Sequence, residues 1–304
     1  MEGTNNGLAG QRCAVVTGAN KGIGLQICHQ LAVNGVLVVL TARDEKKGLQ
    51  AARKLQEHGL SDVVFHRLDV IDPASIASLA KFIEIKFGKL DILVNNAGVG
   101  GLFVDRKLLE AFKVRGGALT DENAHQLEGI IQQNYEMTEE CLKTNYYGTV
   151  LVTEALLPLL ELSQSARIVN LSSFYGQMKF INNEKVKMQL ENDESLTMEK
   201  LDEIVQWFLR DFKEGQLLEN GWPLTVSAYK ISKAAINAYT RLLARKFPRF
   251  RVNCVHPGLV KTDMTGNTGS LTPEEGARAP VMLALLPDSG PSGLYFSEMD
   301  VSSF

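Results

Sequence analysis

Short, continuously apolar runs alternate along the chain with stretches whose apolar residues recur every three to four positions. The runs near 13–17, 36–40, 63–67, 91–95, 167–171, 250–255 and 293–296 read as strands. They are mostly apolar, as strands buried on both faces are. Between most of them lie segments with helical periodicity, such as 45–57 and 74–87. This alternation predicts an α/β fold: a parallel sheet of seven strands with helices on both faces. No repeat, low-complexity tract or Pro/Gly/Ser linker interrupts the chain, so residues 1–304 are expected to form a single domain.

Two segments depart from the alternation. One covers about 100–138 and opens Gly100-Gly101-Leu102-Phe103-Val104; the other covers about 174–226. Within the second, Leu201, Ile204, Val205, Phe208, Leu209 and Phe212 recur at helical spacing, with Thr197 placed to cap the helix and Gly215 to stop it. That apolar stripe needs cover, either from its own domain or from a partner.

Composition narrows the function classes. Hydrophobic residues make up 45% and charged residues 22%, as in soluble globular proteins. The net charge is −3 and no basic block occurs, so neither nucleic acid nor an anionic membrane surface is an expected partner. No run is long and apolar enough to span a membrane, and the polar residues 1–11 lack the apolar core of a signal peptide. A cytoplasmic protein is expected. Cys13, Cys28, Cys141 and Cys254 form no C-x-x-C pair and read as buried reduced thiols. The five histidines show no metal-ligand spacing; His256 reads as structural, and no metal is expected.

The candidate chemistry lies at strand ends. Thr17-Gly18-Ala19-Asn20-Lys21-Gly22-Ile23-Gly24 joins the first strand to a helix beginning Leu25-Gln26-Ile27. Glycines let the backbone approach a pyrophosphate, and the helix N-terminus offers free N–H groups and a favourable dipole. A tight turn without ligand would show the same glycines. Asn95-Asn96-Ala97-Gly98 ends the fourth strand in amides and a glycine, where a flat ring could lie against the backbone. Ser172 and Ser173 end the fifth, either facing a ligand or capping the next element. Pro257-Gly258-Leu259-Val260-Lys261-Thr262 follows the sixth. Tyr229 and Lys233 stand four apart on one face of a helix, where an ammonium beside a phenol favours the phenolate. Tyr175 and Lys179 have the same spacing, but Gly176 interrupts and no helical pattern follows.

Taken together and in this order, Thr-Gly-x3-Gly-x-Gly, Asn-Asn-Ala-Gly, the strand-terminal Ser, Tyr-x3-Lys and Pro-Gly resemble the short-chain dehydrogenase/reductase family over about residues 12–296. The resemblance implies a Rossmann-type sheet, a nicotinamide cofactor and transfer of its pro-S hydride to a carbonyl. It implies that Ser173 polarises the carbonyl, that Tyr229 is the acid/base, and that Lys233 holds the nicotinamide ribose and tunes Tyr229. Asn145 would support a proton relay through water; a polar residue that merely bends its helix is the alternative. The cofactor would be held by Gly18, Asn20, Lys21, Gly22, Ile23 and Gly24, by Asn95, Ala97 and Gly98, by Tyr229 and Lys233, and by Pro257, Gly258, Val260 and Thr262. Asp69 would bond the adenine amino group, its alternative being a plain turn carboxylate. Arg43 ends the second strand where an acidic group would select NAD; a guanidinium suits the 2′-phosphate of NADP. Lys47 and Lys21 could add charge, and Asp44 reads as a helix cap.

The long stretch between Ser173 and Tyr229 further resembles the monomeric carbonyl reductases and, more closely, the plant group of salutaridine reductases and menthone or neomenthol reductases. Asn20-Lys21-Gly22-Ile23-Gly24, Val64-Phe65-His66, Gly221-Trp222-Pro223 and Asp288-Ser289-Gly290-Pro291-Ser292-Gly293 carry that closer likeness. It implies NADPH-dependent reduction of a terpenoid or alkaloid ketone by a monomer. Members that reduce a C=C bond carry an acidic residue at the position of Tyr229. Leu102, Phe103, Val104, Leu259 and Met264 are candidate substrate contacts, mainly apolar and suited to an apolar cyclic ketone, though core packing would explain each singly. An NADP(H)-binding regulator without turnover is the alternative class; its signature would be a missing Ser, Tyr or Lys, and all three are present.

Overall fold

The strands explain why their runs are mostly apolar. In β1 (Cys13–Val16), Cys13 and Val15 join the core on one face of the sheet, while Ala14 and Val16 join the core on the other. Successive strand side chains point to opposite faces, so a strand covered on both sides favours apolar residues at successive positions. The same alternation holds for residues 37–40 of β2 (Leu37–Ala42) and 92–94 of β4 (Ile92–Asn95), whose buried polar members Thr41 and Asn95 are hydrogen-bonded. This computed structural model describes residues 11–116, 120–192 and 194–304; residues 1–10, most of the polar stretch read as no signal peptide, lie outside them.

With β3 (Val63–Arg67), β7 (Arg167–Leu171), β8 (Arg251–His256), β9 (Tyr295–Ser297) and β10 (Asp300–Ser302), the main sheet runs β3-β2-β1-β4-β7-β8-β9-β10. Its first seven strands are parallel, as expected, and β10 adds an antiparallel edge. The order reverses beside β1, so β1 and β4 diverge into a crevice at their carboxyl ends, where such sheets bind ligands. One face is covered by α1 (Gly22–Val33), α2 (Glu45–Glu57) and α10 (Pro273–Ala284); the other by α3 (Pro73–Phe87), α6 (Gly148–Glu161) and α9 (Ser227–Lys246).

The first insertion contains a two-stranded ribbon of β5 (Phe103–Val104) and β6 (Ile131–Gln132), α4 (Arg106–Val114), a 3₁₀ turn at Asp121–Leu127, and the start of α5 (Tyr135–Leu142). The second contains two 3₁₀ turns, α7 (Glu184–Glu191) and α8 (Met198–Glu214). Thr197 caps α8 by accepting from the Lys200 N–H, and Gly215 ends it at φ 72. Leu201, Ile204, Val205, Phe208 and Leu209 are buried in the same core as α9, and Phe212 packs against it. Trp222 seals this seam, its ring 5.3 Å from Phe208 and its indole N–H donating to Asp211 at 2.6 Å. The stripe is therefore covered by its own domain. Burial of five such side chains contributes on the order of 10 kcal/mol, comparable to a domain's net stability, which makes α8 part of the fold and not a detachable arm.

All four cysteines are free and buried, and burial pushes the thiols of Cys13, Cys141 and Cys254 up to about 12. Among the described residues no helix is long and apolar enough to cross a membrane, and no cluster of side chains could hold a metal ion.

Candidate active site

The glycine-rich turn lies in the crevice between β1 and β4. The Ala19 N–H donates to Thr41 O at 2.7 Å, which ties the turn to the end of β2. Thr17 Oγ1 accepts from the N–H groups of Asn96 and Ala97, each at 2.9 Å, and Asn96 Nδ2 donates to the carbonyls of Thr17 and Gly18. Gly18 adopts φ +63 and a Cβ there would lie 2.9 Å from Ala97 Cα. A Cβ on Gly24 would lie 2.4 Å from Asn96 Nδ2. No side chain caps α1, so its first-turn N–H groups face the crevice without that competitor. This cradle fits a dinucleotide pyrophosphate.

The remaining cofactor candidates are placed unevenly. Arg43 is exposed just past β2, beside the turn, and among the described residues it makes no ion pair. Asp44 caps α2 by accepting from the Lys47 N–H at 2.9 Å, and the Lys47 ammonium stands 3.6 Å from the same carboxylate. Lys21 pairs with Asp263 at 2.5 Å across the mouth of the crevice. Asp69 serves its own turn, accepting from the Ile71 N–H at 3.2 Å. Ala97 and Gly98 line the end of β4, and a Cβ on Gly98 would meet Asn145 Oδ1 at 3.2 Å. Gly22 lies against Thr262, so the Pro257–Gly258–Val260 loop closes over the turn, held by a Val260–Leu271 bridge. The Asn95 side chain points elsewhere: it donates to Thr153 Oγ1 at 3.0 Å and to Asn170 Oδ1 at 2.8 Å, stitching β4 to α6 and β7. Asn96 does the bracing at the turn; strand alternation at 95 and 96 is the signal that distinguishes them.

The catalytic candidates come together at the ends of β4 and β7. The Tyr229 phenol is hydrogen-bonded to Ser173. Ser173 Oγ also accepts from the Tyr175 N–H at 3.2 Å, so it caps the following turn as well as meeting the tyrosine. Lys233 is buried, donates to Leu171 O at 2.7 Å, and lies 5.5 Å from the centre of the Tyr229 ring. Part of the Tyr229 ring is open to solvent, but desolvation pushes the phenol up to about 12. Desolvation also brings the Lys233 ammonium down to about 8. The expected pull of the ammonium on the phenol is outweighed here, because removing both groups from water favours both neutral forms. Asn145 lies in a π-helical turn between α5 and α6, at Lys143–Tyr147. Its Oδ1 accepts from the Val99 N–H at 2.8 Å and its Nδ2 donates to Val99 O and Ser232 Oγ, each at 3.0 Å. Ser232 Oγ in turn donates to Tyr229 O at 2.8 Å. Asn145 thus interrupts the regular helix and also braces the backbone of the tyrosine.

The apolar substrate candidates lie in the first insertion and the loop after β8. Phe103, Leu259 and Met264 are 53%, 57% and 48% exposed; Leu102 and Val104 are half-buried. Arg106 Nη2 donates to Asp263 O at 3.0 Å and joins the first insertion to the loop carrying Leu259 and Met264. Sequence reasoning missed a second wall: Phe174, Tyr175 and Phe180, with ring centres 5.0 to 6.0 Å apart, directly after Ser173. Tyr175 and Lys179 share no helix; the Lys179 ammonium lies 4.0 Å from the centre of the Phe174 ring. His256, 6.3 Å from Phe174, is brought down to about 4 by burial, consistent with a neutral structural role. A separate groove of about 530 Å³ runs between α5, α6 and α8. None of the catalytic candidates lines it, and the convergence of Ser173, Tyr229 and Lys233 locates the site better than cavity size does.

Comparison with known proteins agrees with this geometry. The family described as short chain dehydrogenase matches residues 12–185, and the one described as Enoyl-(Acyl carrier protein) reductase matches residues 218–284. The chain is 54% identical to (+)-neomenthol dehydrogenase of Arabidopsis thaliana, covering 96% of this chain and 98% of that one. It is 48% identical to (-)-isopiperitenone reductase of Mentha piperita, covering 94% and 96%. The structure of salutaridine reductase from Papaver somniferum superposes with a TM-score of 0.86 at 51% identity, over 95% of this chain and all of the other.

Proposed function

The chain belongs to the short-chain dehydrogenase/reductase family and is an oxidoreductase, and from that premise we propose that it reduces a ketone on an apolar cyclic small molecule to a secondary alcohol with NADPH. The observation that carries this reading is the Tyr229 phenol, kept protonated by burial and hydrogen-bonded to Ser173. A protonated phenol at the reacting carbonyl is a proton donor, so it suits the reductive direction. Ser173 gives a hydrogen bond that strengthens as negative charge develops on the oxygen. Lys233 supplies positive charge beside the phenol and a donor for the cofactor's ribose. The nicotinamide, when bound, supplies the hydride. The cradle at residues 18–24 would hold its pyrophosphate, and Arg43 with Lys47 would meet the 2′-phosphate that distinguishes NADPH from NADH. Phe103, Leu259, Met264 and the Phe174–Tyr175–Phe180 wall offer apolar surface to the ring system of the substrate. The relatives named for neomenthol and salutaridine point to terpenoid or alkaloid ketones. The buried α8 stripe supports a monomer, since the chain itself covers the face beside α9; a sedimentation mass of twice 33.5 kDa at micromolar concentration would count against it. A cytoplasmic location goes with the same reading, and imaging of a fluorescent fusion tests it.

Oxidation of NADPH against a panel of cyclic ketones and enones tests the reaction. Ketone-dependent turnover is expected, and Tyr229→Phe should lower kcat by about 10³-fold with NADPH affinity unchanged. A Tyr229→Phe enzyme near the wild-type rate would remove the proton-donor role, and reduction confined to the C=C bond of enones would replace the reaction. In the same assay Arg43→Asp should shift kcat/KM from NADPH toward NADH, because it removes an attraction and adds a repulsion.

A further inference from the structure

The catalytic helix begins in an unusual way. Most helices here start with Asp, Asn or Thr accepting from a first-turn N–H: Asp44, Asp72, Asp105, Asn134, Asn183, Thr197 and Thr272. The residue before α9 is Val226, which has no polar side chain to offer and sits in the left-handed region at φ 54, ψ 33. A β-branched residue there is sterically strained and persists only where its surroundings fix it. Tyr229 is the third residue of α9, so the conformation of Val226 directs the turn that presents the phenol.

Two side chains of the first insertion grip this turn on both sides of Val226. Gln133 Oε1 accepts from the Ser227 N–H at 2.8 Å and from Ser227 Oγ at 3.1 Å, while its Nε2 donates to Leu224 O at 2.9 Å. Asp121 Oδ1 accepts from the Thr225 N–H at 2.9 Å, from Thr225 Oγ1 at 2.5 Å and from Lys230 Nζ at 2.9 Å. Lys230, next to Tyr229, is almost wholly buried and also donates to Thr225 Oγ1 at 3.1 Å. The backbone at Leu224, Thr225 and Ser227, on both sides of Val226, is thereby held from outside the helix. Gln133 takes the place of the missing cap, and Asp121 anchors the residue before the strained one.

We propose that Gln133 and Asp121 are positioning residues, holding the Thr225–Val226–Ser227 turn in its strained conformation and so setting the Tyr229 phenol against Ser173. The first insertion is then the external cap of the catalytic helix as well as a wall of the substrate cleft. The proposal rests on Tyr229 being the proton donor.

Gln133→Met removes all three hydrogen bonds at nearly constant volume. Its kcat is expected to fall roughly tenfold or more, as displacements of catalytic groups by an ångström or less do, with NADPH affinity and the melting temperature of the NADPH complex nearly unchanged. Amide hydrogen exchange across 224–230 should quicken. Gln133→Glu keeps the acceptor for Ser227, and a carboxylate suits a helix N-terminus, so it should retain most of the rate. Val226→Gly placed in the Gln133→Met background should restore kcat toward wild type, because glycine adopts φ 54 without strain and the turn no longer needs its grip. A residue that only stabilised the first insertion would not be rescued in this way. Faster exchange at 224–230 with wild-type kcat would overturn the proposal. So would a rate loss that neither Glu at 133 nor Gly at 226 repairs. Tyr229→Phe assayed alongside separates the failures: activity retained there sinks the proton-donor reading and this proposal with it, whereas an inactive Tyr229→Phe beside an unimpaired Gln133→Met sinks the grip alone.

Discussion

α1 and α9 both begin without a capping side chain of their own, and they begin for opposite ends. At α1 the turn and first turn carry glycines, Gly18 against Ala97 and Gly24 against Asn96, and no side chain caps the first-turn N–H groups. At α9 the preceding residue is a strained valine, and side chains from about a hundred positions earlier in the chain occupy the turn. An uncapped N-terminus costs roughly 1 kcal/mol, so leaving one open has to serve something else. On the proposed reading, the first is kept free for the cofactor's phosphates and the second is closed by the protein to fix the turn that presents Tyr229. The comparison separates a binding end from a catalytic end, and substitutions at each should have separable effects.

The largest effect is expected at the binding end. Gly18→Val places a β-branched residue at φ +63 with its Cβ 2.9 Å from the Ala97 backbone. Strain and displacement of order 1–3 kcal/mol at such positions correspond to a Kd for NADPH higher by about 5- to 150-fold. At saturating NADPH the kcat should stay near wild type, since α9 is untouched. Fluorescence titration of NADPH reads the first number and steady-state assay the second. An unchanged Kd would mean that the turn is only a turn, the bland reading that its glycines alone left open.

How much of this contrast the sequence displays follows from how local each cause is. The glycine turn, the strands buried on both faces, and α8 with its cap at Thr197 and stop at Gly215 are all written in adjacent residues or a fixed period, and each is legible. Tyr229 and Lys233 are legible for the same reason, since one helix sets their spacing. The grip on α9 is not: Gln133 meets Ser227 across 94 positions and Asp121 meets Thr225 across 104, with no periodicity to betray either contact. Valine is also among the last residues that local rules would place at positive φ. β10 escapes notice because it is three residues long with Val301 largely exposed, so it shows no apolar run. The aromatic wall at Phe174, Tyr175 and Phe180 is compositionally visible, but its convergence depends on two 3₁₀ turns that carry no period.

An effect of comparable size should appear at the catalytic end as a cost in stability. Lys233 is buried, and its ammonium is brought from an ordinary 10.5 down to about 8 by desolvation. Below pH 8 the lysine is charged in both folded and unfolded chains, and the folded protein carries the full burden of the buried charge. Between about 8 and 10.5 the unfolded chain binds the extra proton, so the stability of the wild-type protein rises with pH across that window. Lys233→Met should therefore raise the unfolding free energy of the cofactor-free protein at pH 7, by on the order of 3 kcal/mol at most, and with it the melting temperature, while lowering turnover. The advantage of the methionine should shrink as pH passes from 8 to 10.5. A variant less stable than wild type at pH 7 would show that the bond to Leu171 O outweighs desolvation, and the catalytic end would not be the strained one.

The smallest effect is expected at a helix start that serves neither purpose. Thr197 caps α8 with a single bond to the Lys200 N–H, 3.3 Å long and exposed. Its removal in Thr197→Ala costs about 1 kcal/mol or less, as ordinary caps do. In a chain of this size that lowers Tm by roughly 2 °C. The buried stripe of Leu201, Ile204, Val205 and Phe208 holds the body of α8 in place, so only the first turn should fray. Both kcat and the Kd for NADPH should equal those of wild type. This near-silent variant sets the scale for the other two ends. If Thr197→Ala lowered kcat as far as Gln133→Met does, any loosened helix start would disturb the site, and the start of α9 would have no special claim on Tyr229. If it costs stability alone, the loss at Gln133 cannot be put down to a missing cap, and what remains is the orientation of the turn at Val226.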